Sequence, residues 1–518
     1  MAMTTADTTT HDEQLPAWAY GALFVGTLAT FVWTLAPDIS YFVDSAEYAL
    51  TVTTLGIAHP PGYPLLQLIG NLFVRVVPFG EVTWRLNLLS ALALALATPV
   101  TAAIMLRLTR RRAWAVGGAL IAVWSYYLWV TSITVEVYAP QVLAVALLVW
   151  SLVRMSDREP RPADMLVSGV LLGLAVATHP INLLLLPGVV LAYVLLRADW
   201  RWTLAALVLG GVLTLAVYAY LPIRAESGFT VVGRYAADGT FTRQDLRSVD
   251  GLLYYITGRQ FESYFFAEGM IPTAGQLGLT VRLFAENYLY LGALVGVGGI
   301  ALLFMARRGL AVVWAVLFLP YLYFFTTYGA DDKITMFGPA LWLFVLPIVV
   351  GLGWFAENGW QRWVIVGLFA GALLGMNGLQ LRGERSLDLV NIAEARLTSL
   401  PADAAVISPW TPTVQLHYGQ QVRAVGRADL SLYNVDSIGT TPEPLAAFLG
   451  EAVAGRPVVV LQLHRFPAVQ QVMLAEMGLE PLPFSVQPSL NMGDALRREF
   501  LDYDGETPLA GYLIIETP

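Results

Sequence analysis

The 518-residue chain is 57% hydrophobic and only 13% charged, with a mean hydropathy of +0.61. Soluble domains carry about 25% charged residues, so the composition predicts a polytopic membrane protein, and a net charge of −8 with no basic tract excludes a nucleic-acid partner. With no cysteine, disulfides and thiolate metal sites are ruled out.

The first 16 residues contain neither Lys nor Arg, unlike the positive start of a secretory signal. They are read as a cytoplasmic tail, and the apolar run 17–36 as a retained first span. About 20 apolar residues cross a bilayer. On that measure eleven spans are expected, near 17–36, 84–106, 113–130, 139–154, 164–178, 181–196, 202–222, 281–305, 309–328, 334–356 and 362–380. Arg107 with Arg110 to Arg112, Arg154 with Arg158 and Arg161, Arg197 with Arg201, Arg307 with Arg308, and Arg362 all follow even-numbered spans. These loops share the cytoplasmic side if the N-terminus is inside. The loops 37–83 and 223–280, the Asp331-Asp332-Lys333 loop and everything after about 381 then lie outside. The segment Leu65 to Val77 is short and interrupted by Arg75, so it is read as a helix in the outer interface.

Beyond 381 charged residues return. Ala405-Val406-Ile407, Val458 to Leu461 and Tyr512 to Ile515 are β-type runs, alternating with helical stretches such as Ser386 to Ser399 and Pro444 to Ala454. The expected fold is an all-α membrane bundle of about eleven spans over 17–380, with a small α/β domain, 381–518, outside the membrane.

The chemistry-bearing residues gather on the outer side. Asp44 and Glu47 stand three apart, on one face of a helix. D-x-x-E is also the pattern of a helix capping box, so capping and catalysis both stay open. His59 begins the rigid turn His-Pro-Pro-Gly-Tyr-Pro, His59 to Pro64. Arg85 opens the second span, Arg224 closes the seventh, Arg259 lies in the 223–280 loop, and Lys333 follows two aspartates. Several cations at one surface would hold an anion, most simply a phosphate. Glu136, Tyr138 and His179 stand at the outer ends of spans. There is no metal signature of the HExxH or EF-hand type, no P-loop and no Rossmann fingerprint, and the adjacent acids Asp331-Asp332 are a weak signal for a hard cation.

Taken together, these blocks resemble the GT-C superfamily of integral-membrane glycosyltransferases. Within it, they are similar to the transmembrane O-mannosyltransferase-like family marked by D-S-[GA]-E, H-P-P-G-Y-P and R-L-N. Here those read Asp44-Ser45-Ala46-Glu47, His59 to Pro64 and Arg85-Leu86-Asn87. E-V-Y at Glu136 to Tyr138, H-P at His179, P-I-R at Pro222 to Arg224, T-G-R at Thr257 to Arg259 and D-K at Asp332-Lys333 follow in order. The resemblance covers residues 17 to about 430.

It implies an inverting transfer of a hexose, mannose first, from a polyprenyl-phosphate sugar to a hydroxyl acceptor on the outer face of a bacterial plasma membrane. Asp44 is then the base and Glu47 the second choice, with the 37–83 and 223–280 loops forming the site. His59, Arg85, Glu136, Tyr138, His179, Arg224, Arg259 and Lys333 are the expected substrate and phosphate ligands. No cofactor beyond the lipid-linked donor is required, and a divalent metal stays compatible. The acceptor is a protein Ser or Thr or, alternatively, a glycolipid or cell-envelope glycan. A lipid transporter or flippase is the rival class, but transporters carry internal repeats and midplane polar residues, and none is evident here.

Overall fold

The structure, a computed structural model, describes residues 14–40, 44–330, 333–484, 501–504 and 507–515. Among them, seven helices are long and apolar enough to cross a membrane. They are Ala17–Thr34, Val82–Thr109, Tyr138–Met155, Trp200–Arg224, Arg308–Thr327, Thr335–Trp354 and the stretch that opens at Gly359. An eighth span is a bent pair, Ala274–Asn287 and Leu291–Ala306, turned by 106°. Leu289 and Tyr290 between them have φ of 53° and 58°, a left-handed conformation that no α-helix continues through.

The remaining expected spans fall on shorter helices. Arg112–Trp124 has 13 residues and ends where Ser125 turns extended. Pro162–Thr178 has 17 and ends at His179, extended because Pro180 follows. Pro180–Leu195 is also short. The expectation of eleven therefore corresponds to seven full-length helices, one bent pair and three short segments. The Pro162–Thr178 and Trp200–Tyr218 helices pack backbone to backbone, since a Cβ on Gly169 or Gly173 would strike Ala206 or Gly210. Small residues at that spacing are how apolar helices associate where no hydrophobic effect drives them.

The chain divides into two compact units. One holds the residues up to Leu35, Ser90–Tyr218 and Arg259–Arg382, and with them most of the apolar helices. The other gathers Ala36–Leu89, Ala219–Gly258 and the chain from Gly383 onward.

In the second unit a mixed sheet has the order β4-β3-β5-β8-β6, with β7 on β8. Its strands are β3 (Ala405–Ser408), β4 (Ser431–Asn434), β5 (Val458–Val460), β6 (Leu479–Pro483), β7 (Asp502–Asp504) and β8 (Thr507–Ile514); β1 (Gly233–Tyr235) and β2 (Phe241–Arg243) form a separate ribbon. Strand β3 pairs in parallel with β4 and with β5, while β8 runs antiparallel to its neighbours. The unbroken apolar runs in β3 and β5 follow from covering both faces. Ala405, Ile407, Val458 and Val460 pack on Leu445, Phe448 and Leu474, whereas Val406 and Val459 pack on Leu397 and Leu416.

The helix Pro64–Val76 buries Gln67 and Asn71 and exposes Leu68, Ile69, Leu72 and Val76. Leu66, Gly70 and Val74 are buried beside them, so the inner face is mixed, while the outer face is apolar apart from Arg75 and suits a lipid interface.

Candidate active site

The helix Ser45–Thr54 carries the two carboxylates. Asp44 holds its N-cap position with φ −85° and ψ −9°, and its side chain makes no capping bond. Glu47, one turn in, is wholly buried and does not reach back to close a capping box. Its carboxylate reaches across to His59 instead, where Oε1 accepts the backbone N–H at 2.7 Å and Oε2 lies 2.5 Å from Nδ1. The other ring nitrogen, Nε2, is 4.0 Å from Asp44 Oδ2. Asp44 is 23% exposed and His59 13%, so this end of the cluster opens outward. An ionised carboxylate only accepts, so Nδ1 carries a hydrogen and Nε2 faces Asp44.

The turn that presents His59 is held from several sides. Leu55 ends the Ser45–Thr54 helix in a left-handed conformation, φ 49°. Beyond it Gly56 O accepts from Tyr220 Oη at 2.7 Å, Ile57 N–H donates to Phe229 O at 2.7 Å, and Ala58 O accepts from Tyr255 Oη at 2.5 Å. Burial raises the Tyr255 pKa well above its ordinary value, with the Glu47 charge adding to the effect, so its hydroxyl stays a donor. Gly62 N–H closes the turn on His59 O at 2.7 Å with φ 85°, and a Cβ there would strike Leu221 and Tyr255. The rings of Tyr48, Tyr63 and Trp410 surround the imidazole at 5.9, 5.3 and 6.3 Å. Burial pushes the Asp44 carboxyl above its ordinary value; the His59 ring opposes this and Glu47 adds to it. A raised pKa makes Asp44 a stronger base than a solvated aspartate.

Asp44, Glu47 and His59 also offer one ligand atom each within 4.8 Å of one another, a set suited to a divalent cation. Binding there would compete with the Glu47–His59 hydrogen bond.

The remaining expected residues are placed as follows. Arg224 donates from Nε to Leu55 O at 2.8 Å and from Nη2 to Thr54 O at 3.3 Å, capping the Ser45–Thr54 helix. Arg85 donates to Val74 O, Val77 O and Gly80 O, closing the end of the Pro64–Val76 helix. Helix ends leave carbonyls unpaired, and arginine satisfies them well. Both guanidinium groups are thus committed in part to the backbone, which no sequence motif announces. Arg224→Ala is expected to lose roughly 1.5–3 kcal/mol, the worth of hydrogen bonds to a charged group. Denaturation of the purified variant reads this loss, and Arg224→Lys should regain part of it.

In the other unit, Glu136 is buried, with its N–H 3.4 Å from Ser90 Oγ, and Tyr138 begins the helix Tyr138–Met155. His179 Nδ1 accepts from Ile181 N–H at 3.2 Å. Arg259 is exposed, 3.8 Å from Glu262. Lys333 is buried and donates to Tyr328 O at 2.5 Å and Thr326 O at 3.4 Å. Asp331 and Asp332 lie outside the described residues. Sequence reasoning missed Tyr220, Tyr255 and Trp410, which no local pattern links to His59.

Residues 44–202 match the family model described as the Protein O-mannosyl-transferase TMEM260 N-terminal domain, a match that begins at Asp44 itself. Protein O-mannosyl-transferase TMEM260 of Mus musculus is 28% identical over 318 residues, 57% of this chain and 43% of that protein. This chain therefore covers less than half of the mouse relative. The Dictyostelium discoideum protein of the same name is 31% identical over 72 residues, 14% of this chain and 9% of that one. Among solved structures, ArnT from Cupriavidus metallidurans bound to undecaprenyl phosphate has a TM-score of 0.59 at 13% identity, covering 91% of this chain and 97% of that one. The oligosaccharyltransferase AglB from Archaeoglobus fulgidus, in complex with an inhibitory peptide and a dolichol-phosphate, has a TM-score of 0.52 at 13% identity, covering 91% and 74%.

The chain is similar in sequence to protein O-mannosyl-transferases over part of its length, and similar in fold to ArnT and AglB. Its fold, shared with ArnT and AglB, is a multi-pass helical bundle with a small C-terminal sheet. Within that fold, the acidic motif, the histidine turn and one helix of the C-terminal segment meet in a single compact unit.

Proposed function

We propose that this protein is a GT-C glycosyltransferase that transfers a sugar, mannose first, from a polyprenyl-phosphate donor to a Ser or Thr hydroxyl of a polypeptide on the outer face of the membrane, with Asp44 as the base. The observation that carries this reading is the Asp44 carboxylate, which is spent on no cap, has its pKa raised by burial, and faces a histidine whose other nitrogen is fixed by buried Glu47. The activity named for the mouse and Dictyostelium relatives supports the sugar and the acceptor, and the lipid phosphate bound to the Cupriavidus structure supports the donor class.

A hydroxyl is a poor nucleophile until a positioned base takes its proton. Asp44 accepts that proton as the acceptor oxygen bonds to the anomeric carbon. On the opposite face the bond from that carbon to the phosphate oxygen breaks, the configuration inverts, and polyprenyl phosphate leaves with the electron pair. Charge developing on the phosphate calls for a preorganised cation. In this unit Arg224 is the candidate, through Nη1, which neither of its two backbone bonds uses. The site would face outward if the arginine-rich loops are cytoplasmic. Arg110→Cys should then resist an impermeant thiol reagent applied from outside, and labelling there would overturn the orientation.

The test is incubation of purified protein with polyprenyl-phosphate sugars and Ser/Thr peptides, followed by mass spectrometry. A mannosylated peptide and free polyprenyl phosphate are the expected products. A panel of such donors left unconsumed would refute the reading.

A further inference from the structure

We propose that the carboxyl edge of the parallel strands β3, β4 and β5, with Trp410 at its front, is the surface that binds the acceptor polypeptide. This rests on the glycosyl-transfer reading and gives the C-terminal segment its part in it.

The topology makes the argument first. The chain passes from β3 to β4 on one side and then crosses back to β5 on the other. Where connections leave in opposite directions, a crevice opens at the carboxyl ends of the strands, and ligands of α/β sheets bind there. Two residues past the end of each strand stand Trp410, Asp436 and Gln462. The Asp436 carboxylate lies near the Trp410 backbone N–H, at the start of the helix that carries the indole. Gln462 lies wholly buried beneath this edge with neither amide atom hydrogen-bonded. Such orphans are rare in proteins and mark places kept for something other than stability.

The second argument is proximity to the base. The Trp410 ring meets the His59 imidazole edge to face, at 84° and 6.3 Å, and that imidazole is the group facing Asp44. In an inverting displacement the acceptor arrives on the base's side of the sugar and the phosphate departs on the other. A wall touching the base's partner therefore borders the acceptor.

The wall is also rigid. Its helix, Trp410–Gln421, packs on Ser45–Thr54. Tyr418 donates to Asp38 Oδ1 at 2.5 Å and accepts from Thr83 at 2.6 Å, and Arg423 binds Glu81 and Glu394, each at 2.9 Å. A partly exposed indole beside a carboxylate suits a polypeptide, which offers both apolar side chains and backbone N–H donors.

The experiment uses the full chain in detergent with polyprenyl-phosphate mannose and a capped threonine peptide, and methyl α-mannoside in a parallel arm. Trp410→Ala is expected to raise the peptide KM about tenfold, as loss of an aromatic contact does, while the donor KM stays within about twofold. Trp410→Phe should recover most of the loss, and Asp436→Asn should move the peptide KM in the same direction as Trp410→Ala. A peptide KM unmoved in both Trp410→Ala and Asp436→Asn, or a fall in kcat alone, overturns the proposal, because a ring that only supports His59 acts on the chemical step. Transfer to the mannoside and not to the peptide overturns it as well. Donor consumed by neither arm refutes mannosyl transfer, and the acceptor surface proposed for it falls with it.

Discussion

Asp44→Asn is expected to lower transfer by about 10²–10⁴-fold, the usual contribution of a general base, while making the protein more stable at neutral pH. The activity loss follows because Asn keeps the shape of Asp but takes no proton. A capping role predicts the opposite, since Asn caps about as well as Asp, and in the structure the Asp44 side chain caps nothing. The stability gain follows from linkage. Burial raises the folded pKa of Asp44 above its ordinary value of 3.8. A raised carboxyl favours folding fully below the unfolded pKa, and that contribution is lost as pH climbs through the folded pKa. At neutral pH the ionised group therefore costs stability that Asn does not. Thermal unfolding of the two forms should show Asp44→Asn ahead at pH 7 and level with wild type below about pH 3.8. The acid limb of wild-type kcat/KM should lie above the range of a solvated aspartate. Wild-type turnover in the variant, or a variant less stable at pH 7, would each count against the base.

How much of this was legible in the sequence depends on how far apart the partners stand. Asp44, Glu47 and His59 lie within one short segment, so their types and spacing announced them as a group. Their division of labour was not announced. Nothing in D-S-A-E says that Glu47 turns inward to clamp His59, because that depends on where the turn after Leu55 returns the chain, and Tyr220, Tyr255 and Phe229 set that return. Trp410 was invisible for the same reason, being joined to His59 only by the packing of one helix on another. The cations were legible only in part. A motif gives the charge of Arg85 or Arg224 but not which carbonyls are unpaired nearby, and both prove to close helix ends. The strands of the C-terminal sheet were readable because runs such as Val458 to Val460 must be buried on both faces. The lengths of the spans were less legible, because apolar composition persists through Ser125 and His179, where the backbone turns extended.

Glu47→Gln tests the next step, what becomes of the proton. After transfer Asp44 is protonated and must be reset. In the wild type Glu47 holds the hydrogen on His59 Nδ1, which leaves Nε2, 4.0 Å from Asp44, as the nitrogen to receive that proton after a small rotation. A glutamine in place of Glu47 still accepts the His59 backbone N–H through its oxygen, but its NH₂ then faces Nδ1 and donates to it. The imidazole hydrogen moves to Nε2 and points at Asp44. The ring then donates where it should accept, and Asp44 becomes a weaker base. Turnover is expected to fall about 10²-fold or more, with the acid limb of the pH profile displaced downward and little loss of stability. Glu47→Ala, by contrast, strands two buried donors of His59 and should cost roughly 3–5 kcal/mol, so its inactivity alone proves nothing about protons. The informative comparison is Gln with wild type. If Glu47 only packs and holds the turn, Gln does that nearly as well and turnover survives; a pH profile that drops in height and shifts to acid assigns Glu47 to the proton path.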